Sequence, residues 1–163
     1  MTPDLLGLIR VLCDAHVDFI IVGGVAANVH GALRTTLDLD VIYARDPANQ
    51  ERLAAALAPY APYLRGAPDG LPFAFDVPTI ARGLNFTLTT TLGDLDLLGE
   101  VAGGGTFEQL QSDAEGIHLA GYNCRVISLP ALIRLKRAAG RGKDREALAE
   151  LEALLEERDR GRS

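Results

Sequence analysis

The segment Phe19-Ile20-Ile21-Val22-Gly23-Gly24 is followed after thirteen residues by Asp38-Leu39-Asp40-Val41. A run of large apolar residues that stops abruptly at two glycines predicts a buried strand ending in a tight turn. Val25 to Gly31 then reads as a short helix, and Asp38 to Tyr43 as a second strand. On a strand, residues i and i+2 point to the same face, about 6.5 Å apart along the chain. The carboxylates of Asp38 and Asp40 can therefore converge. Two like charges on one strand face repel, and a divalent cation with oxygen ligands is the natural way to neutralise them. A pair of metal ions about 3.5–4 Å apart can also clamp the attacking and leaving oxygens of an in-line displacement. The plain alternative is a strand end with two solvated aspartates.

Outward from this stretch, the pattern is that of one α/β domain spanning residues 1–163. Leu5, Leu8, Ile9 and Leu12 recur at helical spacing within residues 3–15. Asn49 to Leu57 reads as a helix. Residues 59–83 hold five of the eight prolines together with Tyr60, Tyr63, Phe73 and Phe75, and predict a long ordered loop or a short strand between loops. The aromatics there suit core packing or stacking on a base. Leu84 to Thr91 is rich in β-branched residues and predicts a strand, which Gly93-Asp94 would turn into Leu95 to Glu100 as a hairpin. Gly103-Gly104-Gly105 reads as a flexible link, Thr106 to Gln111 as a short helix, and Ile117 to Ile127 as one or two strands around Gly121. Ser128 is placed to cap a helix with Pro130 in its first turn, ended by Gly140 and Gly142. Asp144 is placed to cap a last helix with Leu148, Leu151 and Leu155 on one face. No repeat and no linker divides the chain.

Composition narrows the function classes. The apolar fraction is 48% and the charged fraction 23%, and the net charge is −6. Residues 1–133 carry −8, whereas residues 134–163 carry +2. Broad nucleic-acid binding wants a basic face, and an acidic body argues against it. A small anion held by a few local cations remains compatible. No apolar run approaches the roughly 20 residues that span a bilayer. The opening residues, with Asp4, Arg10 and Asp14, do not read as a signal peptide. Cys13 and Cys124 stand apart without a CxxC pattern, as expected of buried free thiols in a reducing cytoplasm.

The Gly-Gly turn and the Asp-x-Asp strand together resemble the signature of the nucleotidyltransferase superfamily that includes polymerase-β-like enzymes. That family carries a third carboxylate on a later strand, and Leu95-Asp96-Leu97-Leu98 supplies the match. The run from Ile127 to Asp144 looks like the end of small bacterial members related to toxin–antitoxin nucleotidyltransferases. The resemblance covers residues 17–155. It implies an α/β fold with a mixed β-sheet and flanking helices. It also implies Mg²⁺- or Mn²⁺-dependent transfer of a nucleoside monophosphate from a triphosphate to a hydroxyl. The acceptor would be a protein side chain, a tRNA end or a small molecule, with a cognate toxin or antitoxin protein as a possible partner and no membrane.

On this resemblance Asp38, Asp40 and Asp96 bind the metal and catalyse, and Asp96 helps to deprotonate the acceptor. Asp94 shares that face by period 2, but its Gly-Asp context reads as a turn. Gly23 and Gly24 let the backbone approach a phosphate, with the free N–H groups and dipole of a helix start behind them. More active branches often carry Ser at the second glycine, so Gly24 removes a hydroxyl contact. Lys136 and Lys143 are the only lysines, and both are candidates for the triphosphate, as is Arg34 beside Thr35-Thr36; Arg141 is weaker. The plain alternative for each is a solvated surface cation. His16, His30 and His118 read as structural, and no His/Cys cluster suggests zinc. Two rivals follow. A Rossmann nucleotide site would need G-x-G-x-x-G, and Val25 stands where its second glycine should be. A non-catalytic module that binds nucleotide or a partner on the same fold is the other.

Overall fold

The computed structural model describes residues 2–140 and 145–161. The candidate cations Arg141 and Lys143 and the expected helix-end residues Gly142 and Asp144 lie outside the described residues. Helix α1 (Leu5–Asp14) is capped by Asp4, whose Oδ1 accepts from Gly7 N at 2.9 Å. It buries Leu8, Ile9 and Leu12. Strand β1 (Phe19–Val22) is buried on both faces, as its unbroken apolar run requires. Helix α2 (Gly23–Val29) follows at once, and β2 (Asp38–Tyr43) returns antiparallel to β1, with Val22 opposite Asp40.

Helix α3 (Pro47–Leu57) starts at a proline in its first turn and is capped by Asp46. Its Asn49 is fully buried and ties the entry of β1 to the exit of β2. The Asn49 amide donates to Ala44 O at 2.7 Å and to Asp18 O at 3.2 Å, and its oxygen accepts from Asp18 N at 2.7 Å.

The proline-rich stretch is more structured than expected. A 3₁₀ turn (Ala58–Tyr60) leads to the two-residue strand β3 (Tyr63–Leu64), and helix α4 (Val77–Arg82) closes the segment under an Asp76 cap. Its aromatics pack on the protein itself. Tyr63 meets Phe73 edge-on at 6.0 Å, and Phe75 meets Phe86 at 5.6 Å. The Tyr63 hydroxyl is spent on the Pro68 and Leu71 carbonyls.

Strands β4 (Phe86–Thr90) and β5 (Gly93–Leu98) form the expected hairpin, but its turn is Thr91-Leu92. Thr90 Oγ1 accepts from Leu92 N and Gly93 N and so closes the turn. Gly93 and Asp94 are therefore strand residues, which corrects the turn reading. The glycine triplet is a tight corner of a small hairpin, β6 (Glu100–Val101) and β7 (Gly105–Thr106), not a flexible link. A Cβ on Gly104 would meet the Leu135 side chain at 2.6 Å, so the corner packs closely on that residue. Helix α5 (Phe107–Leu110) starts in a capping box between Thr106 and Gln109. Strands β8 (Ala114–Leu119) and β9 (Tyr122–Ile127) turn at Ala120-Gly121. Helix α6 (Leu129–Ala139) is capped by Ser128 and ends at Gly140 in the left-handed region, and α7 (Arg145–Arg160) packs against it.

The seven-stranded sheet runs β3-β4-β5-β2-β1-β9-β8. It is mixed: β2 pairs parallel with β5 and β1 with β9, and the other neighbours are antiparallel. Helices α1 and α3 lie over one face, and α2 and α6 over the other. Leu39, Val41, Leu95 and Leu97 are fully buried, so the alternate residues of β2 and β5 are the ones that open toward α2 and α6.

Candidate active site

Those alternate residues are aspartates. Parallel pairing puts Asp38 opposite Asp94 and Asp40 opposite Asp96 on neighbouring strands. Asp38, Asp40 and Asp96 each offer a carboxylate oxygen, all within 4.8 Å of one another. Burial, first, and then the charge of Asp38 and the closeness of Asp96 push the Asp40 carboxyl up to about 8. Asp38 is also raised, by burial and by Asp96. Asp40 Oδ1 is buried without a hydrogen bond, and Asp96 Oδ1 has Arg65 Nη2 as its ion-pair partner at 2.9 Å. Oxygen-only donors, closely spaced around a buried unsatisfied oxygen of Asp40, match what a hard divalent cation takes.

Gly23 explains how Asp40 comes to be there. Its φ of +66° is a conformation that L side chains rarely adopt, and a Cβ would lie 2.0 Å from Asp40 Oδ2. The turn and the carboxylate occupy one space, so the sequence needs glycine at this position before any ligand is considered. Helix α2 is only two turns long.

Gly24 shows a second close approach. A Cβ there would meet Thr36 Oγ1 at 2.7 Å. The hydroxyl that Gly24 lacks is thus present beside it, carried by Thr36, which donates to Asp38 O at 3.1 Å. Sequence reasoning passed over Thr36, because the loop that carries it back to residue 24 cannot be read from spacing.

A cavity of about 520 Å³ opens over the cluster. Gly23, Asp40 and Asp96 form its floor, Lys136 stands on its wall, and Leu98, Val101, Leu132 and Leu135 make an apolar side. Lys136 is close enough to oppose the rise of the Asp40 pKa. Lys136 also lines a smaller neighbouring cavity of about 190 Å³ with Gly24, Arg34 and Thr36.

The chain matches solved structures over nearly its whole length. A candidate nucleotidyltransferase from Thermotoga maritima superposes with a TM-score of 0.56 at 14% identity, covering 90% of this chain and 91% of that one. ANT(2″)-Ia, an aminoglycoside nucleotidyltransferase solved in complex with adenylyl-2″-tobramycin, gives a TM-score of 0.58 at 16% identity, covering 92% and 86%. The fold is of the nucleotidyltransferase type. No family model matches the sequence, and no curated protein matches it. The likeness is one of architecture.

On this nucleotidyltransferase-type fold the expected residues part into two groups. Gly23, Gly24, Asp40, Asp96 and Lys136 line the cavities, and Asp38 joins Asp40 and Asp96 in the carboxylate cluster. Arg34 borders the smaller one but is turned to α7, where it pairs with Glu146 and Glu150, each at 3.4 Å. His30 is structural: its Nε2 meets Ile127 O at 2.7 Å, and Arg158 approaches its Nδ1 at 3.2 Å. Cys13 and Cys124 are free and half-buried, and burial pushes the Cys13 thiol up to about 11. No helix among the described residues is long and apolar enough to cross a membrane.

One further residue at the cluster has no precedent in the sequence reading. Arg65, just past β3, pairs with Asp96 at 2.9 Å and with Asp94 at 3.2 Å. It reaches the site because the short β3 pairs with β4, which in turn pairs with β5.

Proposed function

We propose that this chain is a metal-dependent nucleotidyltransferase that moves a nucleoside monophosphate from a nucleoside triphosphate to a hydroxyl. The observation that carries the reading is the convergence of Asp38, Asp40 and Asp96, with Asp40 and Asp96 lining a cavity and a buried oxygen of Asp40 left without a hydrogen bond beside the Gly23 turn. Asp38, Asp40 and Asp96 would hold a divalent cation, Mg²⁺ or Mn²⁺, which when bound supplies Lewis-acid polarisation of the reacting phosphoryl group. Gly23 and Gly24 leave the backbone open to the phosphates. Lys136 faces the same space and attracts the triphosphate and the departing pyrophosphate. In the transfer, the acceptor oxygen forms a bond to the α-phosphorus, and the bond from that phosphorus to the β-phosphate oxygen breaks. The hydroxyl proton passes to the carboxylate of Asp96, and pyrophosphate leaves.

The acidic body favours a hydroxyl on a protein or a small molecule over a tRNA end. Residues 1–133 carry −8, and Glu100 among them lines the cavity. One structural neighbour is solved with an adenylylated small molecule, tobramycin, which supports the small-molecule class. The likeness of the Ile127–Asp144 run to small bacterial members supports a toxin–antitoxin setting, in which the acceptor hydroxyl belongs to a cognate protein.

The test supplies α-labelled nucleoside triphosphates with Mg²⁺ or Mn²⁺ to three acceptor pools: proteins, tRNA and hydroxylated small molecules. Label should move to a protein or small-molecule acceptor with equimolar pyrophosphate, and both should vanish with EDTA or Asp40→Asn. Tight nucleotide binding without transfer to any pool would favour the non-catalytic module instead.

A further inference from the structure

We propose that Arg65 sets the ion preference of the acidic cluster by holding a fourth carboxylate, Asp94, out of it. The inference rests on the metal-site reading above. Strands β2 and β5 carry the same tripeptide, Asp-Leu-Asp, in parallel register. Strand period and an interstrand spacing of about 4.8 Å place Asp38, Asp40, Asp94 and Asp96 at the corners of one rectangle on one face. A rectangle of four equivalent carboxylates would offer all four to a cation. Only three converge; Asp94 is absent from the group whose oxygens lie within 4.8 Å of one another.

Arg65 accounts for the difference. Its Nε lies 3.2 Å from Asp94 Oδ2, and its Nη2 lies 2.9 Å from Asp96 Oδ1. Nη2 also donates to Leu88 O at 2.8 Å, and the Arg65 backbone N–H bonds Thr87 O at 3.0 Å. The guanidinium is therefore fixed to the β4 backbone. With 28% of its side chain exposed, against 41% for Asp94 and 24% for Asp96, it works where water screens only in part. It spans two carboxylates from one planar fork, which a lysine cannot do.

Ion chemistry gives the consequence. Mg²⁺ demands octahedral geometry, keeps several waters and is held by one or two carboxylates plus substrate phosphates. Ca²⁺ accepts more oxygens in flexible geometry, and its affinity rises with the number of ligand charges. Three converging carboxylates with a fixed guanidinium behind them leave coordination positions for water and phosphate. Freeing Asp94 adds a fourth carboxylate and favours the larger ion. Arg65 is thus a positioning residue that acts through Asp94 and Asp96.

The test is calorimetric titration of the full chain with Mg²⁺, Mn²⁺ and Ca²⁺ at one pH and ionic strength. Arg65→Gln should raise the Ca²⁺-to-Mg²⁺ affinity ratio about tenfold, the scale of one extra partly screened charge. Arg65→Lys, which keeps the charge and the fold but not the fork, should raise it less. Asp94→Asn alone should leave the ratio unchanged, and Arg65→Gln with Asp94→Asn should restore it. An unchanged ratio in Arg65→Gln and Arg65→Lys, or a raised ratio that persists in the double variant, would overturn the role of Arg65 and leave the metal site standing. A wild-type chain that binds none of the three ions would overturn both.

Discussion

Asp40→Asn is the perturbation on which the metal-free energetics of the site turn. Burial and its two neighbours raise the Asp40 carboxyl from 3.8 to about 8. The folded state therefore holds a proton that the unfolded state has released between those values. The sign follows: the stability tied to this proton is full below pH 4 and is lost as pH rises through about 8. At 1.36 kcal/mol per unit, the whole rise corresponds to roughly 5–6 kcal/mol. The repulsion is spread over three neighbouring carboxylates, so one replacement recovers only part of this, about 1–3 kcal/mol at pH 8. For a chain of this size that is a rise of about 3–9 °C in melting temperature. The assay is thermal unfolding in EDTA, wild type beside Asp40→Asn, at pH 5 and pH 8.5. The variant should melt higher at pH 8.5 and nearly level with wild type at pH 5. Saturating Mg²⁺ should stabilise wild type at pH 8.5 and leave the variant unmoved. A variant that melts lower than wild type at pH 8.5 would instead make Asp40 a structural acceptor.

Three further outcomes follow from single contacts. Gly23→Ala pushes a methyl group into Asp40 Oδ2 in a strained conformation, so metal-dependent nucleotide binding should fall at least tenfold by calorimetry, with stability lowered by about 1–3 kcal/mol. Asn49→Leu leaves Asp18 N and the Ala44 and Asp18 carbonyls without their buried partner, and denaturant unfolding should show a loss of about 2–4 kcal/mol. Thr36→Val keeps the packing over Gly24 but removes the hydroxyl; triphosphate affinity should fall a few-fold with stability within about 1 kcal/mol of wild type, read by titration and by melting.

The part of the molecule legible in the sequence was the part written in short-range pattern. Phe19 to Val22 has no polar residue to place on a solvent face, so a buried strand followed. Asp38 and Asp40 needed only period 2 to share a face, and Ser128 with Pro130 announced α6. Asp94 was misplaced because Gly-Asp is a common turn pair, while the real turn is closed by the Thr90 hydroxyl. Helix α4 was hidden by the surrounding prolines, although Asp76 before Val77-Pro78 is a capped helix start. Arg65 and Thr36 were out of reach for another reason. Each acts on residues brought to it by strand order or loop path, and no local periodicity records those contacts.

If Asp38, Asp40 and Asp96 form one metal site that engages a triphosphate, titration with a non-hydrolysable nucleoside triphosphate, with and without Mn²⁺, shows it. Binding should require Mn²⁺ and be lost when any one of the three aspartates becomes Asn, while Asp94→Asn still binds. Triphosphate binding of equal strength in EDTA, or Mn²⁺-dependent binding that survives all three replacements, would rule the site out.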